Sequence, residues 1–127
     1  MSARILIVED NPDNLKLIEW LLEDAGYAFE SAGTAERALE LIGSEAFDVV
    51  LMDISLPDMD GKEITMRLRA QDEFKDLPII AVTAHAVRGE DTAILASGVS
   101  ALVTKPIDED ILMTTIRSFL SETVKHG

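Results

Sequence analysis

An open α/β fold, with a doubly wound parallel sheet of five strands in the order 2-1-3-4-5 and five helices, is predicted by three observations. Apolar runs of strand length recur at intervals of about 25 residues along the chain. Four of these runs are nearly continuous in apolar residues instead of alternating, as strands are when both faces of a parallel sheet are covered. Between the runs lie segments with helical periodicity, so strand and helix alternate, and right-handed crossovers turn such a series into a sheet with helices on both faces.

The first strand is "RILIV", Arg4 to Val8. A helix follows, with Pro12 at a first helical position behind Asn11 and a stripe of Leu15, Ile18, Leu22 and Ala25; Gly26 follows its end. The second strand, "AFESA" from Ala28 to Ala32, alternates more and belongs near an edge. Ala35, Ala38, Leu39 and Ile42 form the stripe of the second helix, and "VVLM", Val49 to Met52, is the third strand. A third helical segment separates it from "IIAV", Ile79 to Val82. The fourth helix, "HAVRGEDTAILASG", holds an internal Gly89 and few large apolar residues, so it should be the least stable element. Gly98 follows its end, and "ALV", Ala101 to Val103, is the last strand. Asp108 caps the final helix, whose buried stripe is expected to be Ile111, Leu112, Ile116 and Phe119. Residues 119–127 should be the end of that helix and a tail, with "SETVKHG" a frayed terminus or a trimmed connection.

The chain has 127 residues, 47% hydrophobic and 28% charged, the size and balance of one domain over residues 1–127 with a single core. A net charge of -13 argues against direct contact with nucleic-acid phosphates or anionic lipid. There is no cysteine, hence no disulfide framework or thiolate metal site. No stretch resembles a signal peptide or a membrane-spanning run of roughly 20 apolar residues, so a cytoplasmic protein is expected.

Ligands of doubly wound folds sit outside the carboxyl ends of the strands. At those ends stand Glu9 and Asp10, Asp53, Thr83, and Lys105 followed by Pro106. In the order 2-1-3-4-5 the first and third strands are neighbours, which places Asp10 beside Asp53 with Glu9 close by. Two like charges at ~4 Å cost on the order of 4 kcal/mol at an effective dielectric of 20. Partial protonation would offset this, or a hard divalent cation with oxygen ligands, and a small site of two or three carboxylates suits Mg²⁺. The turn "EDNPDN" is acidic and has no glycine, so it cannot cradle phosphate with backbone amides as a P-loop does. Phosphate could approach only with the cation's help. Lys105 would add a positive charge and Thr83 a hydroxyl, the electrostatic parts of phosphoryl transfer, and Asp53 at the centre is the natural nucleophile.

With these residues in place the chain resembles, over essentially its full length, the response-regulator receiver domains of two-component signalling, whose fold is flavodoxin-like. The resemblance rests on Glu9-Asp10, on Asp53 in "LMDISLPDMDG", on Thr83 in "VTAHA" and on Lys105-Pro106 in "VTKP", in that order and at strand ends. It implies that Asp53 is the phosphoacceptor. It further implies that Asp10, Asp53 and the main-chain carbonyl of Ser55 bind Mg²⁺, with Glu9 acting through water, that Lys105 contacts the phosphoryl group, and that Thr83 moves to hydrogen-bond it. The donor would be a phosphohistidine on a sensor histidine kinase or a histidine phosphotransfer protein. The downstream protein would dock on the face made by the fourth helix, fifth strand and fifth helix. Leu102 departs from the pattern, since many receivers carry Tyr or Phe there as a switch ring. The opening "VEDNPDN" resembles the stand-alone regulators of cell-cycle phosphorelays and the receiver modules of hybrid kinases, and the nearness of Met1 to the first strand favours the stand-alone form.

Other features read more simply. His85 and His126, the two histidines, stand near no second ligand type and are expected at the surface. The "DEFKD" run and Asp108 to Asp110 are loop and helix-start charges, and Trp20 and the methionines are core or partner-facing packing. Two other functions are weaker fits. An aspartyl-phosphate phosphohydrolase would carry a second aspartate where Ser55 stands, and a flavodoxin-like nucleotide binder would need a Ser/Thr/Gly-rich loop in place of "EDNPDN".

Overall fold

The structure, a computed structural model, describes residues 3–54, 56, 58–84 and 90–125, with side chains at all of these but 90, 91 and 121–125. Five strands, β1 (Arg4–Val8), β2 (Ala28–Ala32), β3 (Val49–Asp53), β4 (Ile79–Thr83) and β5 (Ala101–Thr104), pair in parallel in the order β2-β1-β3-β4-β5. The helices are α1 (Pro12–Asp24), α2 (Ala35–Ser44), α3 (Gly61–Arg69), α4 (Glu90–Ala96) and α5 (Glu109–Lys125), with a single 3-10 turn at Asp72–Phe74 inside the "DEFKD" run. The fold class, strand order and edge position of β2 are as the sequence predicts.

Period-two alternation divides the strands between two cores. Leu6, Val8, Val50, Met52, Ile79 and Ala81 face α2, α3 and α4, while Ile5, Ile7, Val49, Leu51, Ile80 and Val103 face α1 and α5. Both faces of the three central strands are therefore dry, and their sequence carries no polar alternation for that reason. Asn11 caps α1, accepting from the amides of Asp13 and Asn14, with Pro12 opening the helix. Asp108 Oδ1 accepts from Ile111 N at 3.1 Å, as its place before α5 predicts. Gly26 and Gly98 have φ of +83° and +111°, the left-handed conformation that ends a helix without a Cβ penalty.

At the amino-terminal edge of the sheet the Arg69 guanidinium joins three segments. Its Nε donates to Gly98 O at 2.8 Å and its Nη1 to Phe74 O at 2.7 Å, so the end of α3 is fastened to the turn that follows α4. A Cβ at Gly98 would lie 2.8 Å from Arg69 Cγ, a second reason for glycine there.

Two packing expectations are corrected. Ile111 is 56% exposed, and α5 instead buries Leu112, Met113, Ile116 and Leu120, with Phe119 partly buried against them. The pattern of α5 fits two adjacent phases, and the first-turn position of Ile111 rotates it off the sheet. Ala25 is exposed because α1 has ended and it serves as the C-cap. Trp20, read as core or partner-facing packing, is 58% exposed, which leaves the partner-facing reading. Of the predicted fourth helix, Glu90–Ala96 is described as α4; His85 and Gly89 lie outside the described residues, as does His126.

The phase of α5 is tested by a pair of substitutions. Leu112→Ala should lower the unfolding free energy by about 2–5 kcal/mol, as truncation of a fully buried leucine does. Ile111→Ala should stay within about 0.5 kcal/mol of the parent. Chemical denaturation measures both, and equal losses would return Ile111 to the core.

Candidate functional site

The site is built where β1, β3, β4 and β5 end. The β1–β2 ladder runs one residue past β1, since Glu9 N donates to Ala32 O at 3.0 Å. Asn11 N then donates to Glu9 Oε1 at 3.2 Å, which folds the Glu9 side chain under the start of α1 and turns Asp10 outward to solvent. Glu9 and Asp53 are buried, at 2% and 3% exposure. Beyond Asp53 the chain is held by Ile54 N on Val82 O at 3.1 Å and by Gly61 N on Ile54 O at 3.0 Å. A Cβ at Gly61 would fall 2.7 Å from Asp53 O and 2.9 Å from Ile54 Cα, so only glycine lets α3 begin this close to Asp53.

The predicted site residues converge. Glu9, Asp10 and Asp53 each bring a carboxylate oxygen within 4.8 Å of the others. Lys105 Nζ stands 3.2 Å from Glu9 Oε2 and 3.5 Å from Asp53 Oδ2, and the Lys105–Pro106 bond is cis. Thr83 is buried at the end of β4, and its carbonyl accepts the Lys105 N–H at 2.7 Å. Leu102 is partly buried against the core that faces α2, α3 and α4. Ser55 lies outside the described residues.

The repulsion inferred from sequence is therefore met in part by a protein cation, the Lys105 ammonium lodged between two of the carboxylates. Three carboxylates and one ammonium still leave two negative charges, and the donor set is all oxygen, so the cluster fits Mg²⁺. Two further residues shape the site without a local sequence signal. Gly61 is one. Asp58 is the other: Oδ1 accepts from Ala35 N at 2.8 Å and Oδ2 from Glu36 N at 3.2 Å, across 23 and 22 residues of chain. The bond from Ala35 is the main cause holding the Asp58 carboxyl below its usual range.

Far from this edge, a groove of about 590 Å³ is lined by residues that include Phe47, Asp48, Phe74 and Pro78. Two of its acids are engaged near β1: Asp48 accepts from Arg4 N at 2.7 Å, and the Arg4 guanidinium pairs with Glu45.

Burial raises the pKa of Glu9, and the charge of Asp53 adds to this against the opposing pull of Lys105 and the Asn11 amide. A raised carboxyl pKa means that ionised Glu9 costs stability above that pKa, a cost relieved as pH falls toward the ordinary value of 4.5. In buffer free of divalent ions, Glu9→Gln should therefore be more stable than the parent at neutral pH, with the gain shrinking on acidification. Thermal melts over that range measure it, and a gain that grows toward low pH would show the opposite sign of shift.

Over residues 5–117 the chain matches the family model of the response regulator receiver domain. It is 38% identical over 122 residues to the polar-differentiation response regulator DivK of Brucella anthropi, covering 96% of this chain and 99% of that protein. It is 43% identical over 111 residues to the sensor protein GacS of Pseudomonas syringae, covering 85% of this chain but only 12% of that protein. Among solved structures, a CheY-like receiver domain protein of Methanospirillum hungatei aligns with a TM-score of 0.90 at 34% identity, covering 100% of both chains. The receiver domain of a Pseudomonas aeruginosa sensor histidine kinase, with magnesium coordinated in its active-site cleft, aligns with a TM-score of 0.88 at 32% identity, covering 95% of this chain and 99% of that one. Among the described residues no helix is long and apolar enough to cross a membrane. The chain thus belongs to the response regulator receiver family, the phosphoacceptor modules of two-component signalling that take a phosphoryl group onto an aspartate.

Proposed function

We propose that Asp53 is the aspartate that accepts the phosphoryl group, and that the reaction is driven by this chain's own site with Mg²⁺. The observation that carries this reading is the position of Asp53. Its carboxylate is buried at the end of a central strand, within 4.8 Å of two other carboxylates, and 3.5 Å from the Lys105 ammonium. Asp10, Asp53 and the main-chain carbonyl of Ser55 would hold Mg²⁺, with Glu9 acting through water. The ion would supply positive charge to the phosphoryl oxygens as they approach an acidic edge.

The carboxylate oxygen of Asp53 attacks phosphorus of a phosphohistidine on a sensor histidine kinase or histidine phosphotransfer protein. The new O–P bond makes an acyl phosphate as the P–N bond breaks, and the imidazole leaves with the electron pair and takes up a proton. Lys105, already beside Asp53, turns to a phosphoryl oxygen, where its compact ammonium offsets the added charge. Thr83 donates its hydroxyl to another oxygen. Attack by water on phosphorus later returns the carboxylate and inorganic phosphate.

The output face is the one made by α4, β5 and α5. Its large exposed aliphatic side chains, Leu95 and Ile111, belong to the two helices that flank β5, and they suit a protein partner. With Leu102 in place of a ring, the change begins at the loop after Thr83 and in α4 without an aromatic rotamer step.

Two measurements test this reading. Incubation with a small acyl phosphate and Mg²⁺ should add one phosphoryl group, observed by intact mass, that is lost in EDTA and in Asp53→Asn; persistence in either moves the site elsewhere. Asp10→Asn should weaken Mg²⁺ binding by more than about tenfold, since one unit charge ~4 Å from another is worth about 4 kcal/mol at an effective dielectric of 20. An unchanged titration would remove Asp10 from the metal site.

A further inference from the structure

The carboxylate of Asp58 lies in the loop joining Asp53 to α3, yet its hydrogen bonds are made to a different element. It accepts the amides of Ala35 and Glu36, the first two residues of α2. The third amide, of Arg37, goes to Thr34 Oγ1 at 3.2 Å, and the fourth, of Ala38, to Thr34 O at 3.1 Å. The bond of Ala38 is the first of the helix itself, so the three first-turn amides without intrahelical partners are divided between a local cap and a distant one. Ala35 is fully buried, so its N–H has no access to bulk water and depends on Asp58. The same loop puts Leu56 and Met59 against Ala35, Ala38 and the rest of that core. Two main-chain bonds, at Ile54 and Gly61, hold the ends of the loop; Asp58 holds its middle.

We propose that Asp58 is a positioning residue for the phosphorylation site, fixing against α2 the loop that follows Asp53. The inference rests on the reading of Asp53 and Mg²⁺ given above. On that reading the loop supplies a main-chain ligand to the ion, and a main-chain carbonyl has no rotamer with which to adjust. Among the described residues the loop is anchored at Ile54, Asp58 and Gly61, and the Asp58 pair is the one of these formed by an ionised side chain and therefore the strongest per bond. Binding of Mg²⁺ draws on a loop already in place, and by linkage the ion must also act on the start of α2.

The test compares Asp58→Ala, Asp58→Asn and Thr34→Ala in the full chain. Thr34→Ala removes the other cap of α2 and leaves the loop untouched, so it reports what loss of helix capping alone does. Mg²⁺ is titrated by the amide resonances of the site, and the resonances of Ala35 and Glu36 are followed in the same spectra. In the parent protein these two amides should shift in step with Mg²⁺ binding. Asp58→Ala should abolish that coupling and weaken Mg²⁺ binding about three- to tenfold, at or below the lower end of what partners of metal ligands usually cost. Asp58→Asn, which keeps one acceptor oxygen for Ala35, should fall between. Thr34→Ala should lower the melting temperature yet bind Mg²⁺ as the parent does. Equal Mg²⁺ affinity in Asp58→Ala and the parent, or equal weakening in Asp58→Ala and Thr34→Ala, would overturn the proposal while leaving phosphorylation of Asp53 intact. A parent protein that takes no phosphoryl group on Asp53 would overturn the underlying reading, and this inference with it.

Discussion

Burying Glu9 and Asp53 side by side at the carboxyl edge of the sheet is tolerable because the Lys105 ammonium stands 3.2 Å from one and 3.5 Å from the other. The strand order makes this a demanding contact. β4 lies between β3 and β5, and two strand spacings amount to about 10 Å. A cation arriving from β5 must be long to bridge that gap, and whatever stands at the end of β4 must be small enough to pass under it. Lysine and Thr83 meet those two requirements. The member that resists neutral replacement is the lysine: taking the ammonium away would leave two carboxylates desolvated and without their cation, which costs about 3–5 kcal/mol.

That cluster ties together elements far apart in the chain. Glu9 is fastened to β2 through Ala32 and to α1 through Asn11; Asp53 is followed by a loop fastened to β4, α2 and α3; and Lys105 is fastened to β4 through Thr83. The opposite edge is organised otherwise. There Arg69 and Arg4 serve as the cations: Arg69 collects the carbonyls of Gly98 and Phe74, and Arg4 the carboxylates of Glu30 and Glu45. At the carboxyl edge, by contrast, one ammonium faces three carboxylates, and the surplus negative charge calls for a cation.

Much of this was legible in the residues. Dry parallel strands announce themselves by continuous runs such as "ILIV" and "VVLM", and residues at strand ends follow once the strand order is granted. The order also brings Glu9, Asp10, Asp53 and Lys105 together with no further assumption. What was not legible falls into two kinds. The phase of α5 is ambiguous because Ile111, Leu112, Ile116 and Phe119 satisfy the helical period about equally with Leu112, Met113, Ile116 and Leu120, and only the docked helix chooses. The bonds of Asp58 to α2 span more than 20 residues between two loops, and no local pattern encodes them. The lysine bridge belongs to the same kind: the sequence placed Lys105 at the edge, but its pairing with Glu9 depends on the depth at which Glu9 is buried.

Thr83 and Lys105, the two residues proposed to meet the phosphoryl group from β4 and β5, share a main-chain hydrogen bond of 2.7 Å. A displacement of either backbone is therefore felt by the other before any side chain is consulted. At the far end of the β4–β5 connection, Gly98 is held by Arg69 and Ile94 is fully buried, so α4 is fixed at its carboxyl end. With Leu102 in place of a ring, the main-chain bond between Thr83 and Lys105 is the connection by which the proposed movement of Thr83 would reach the end of β5.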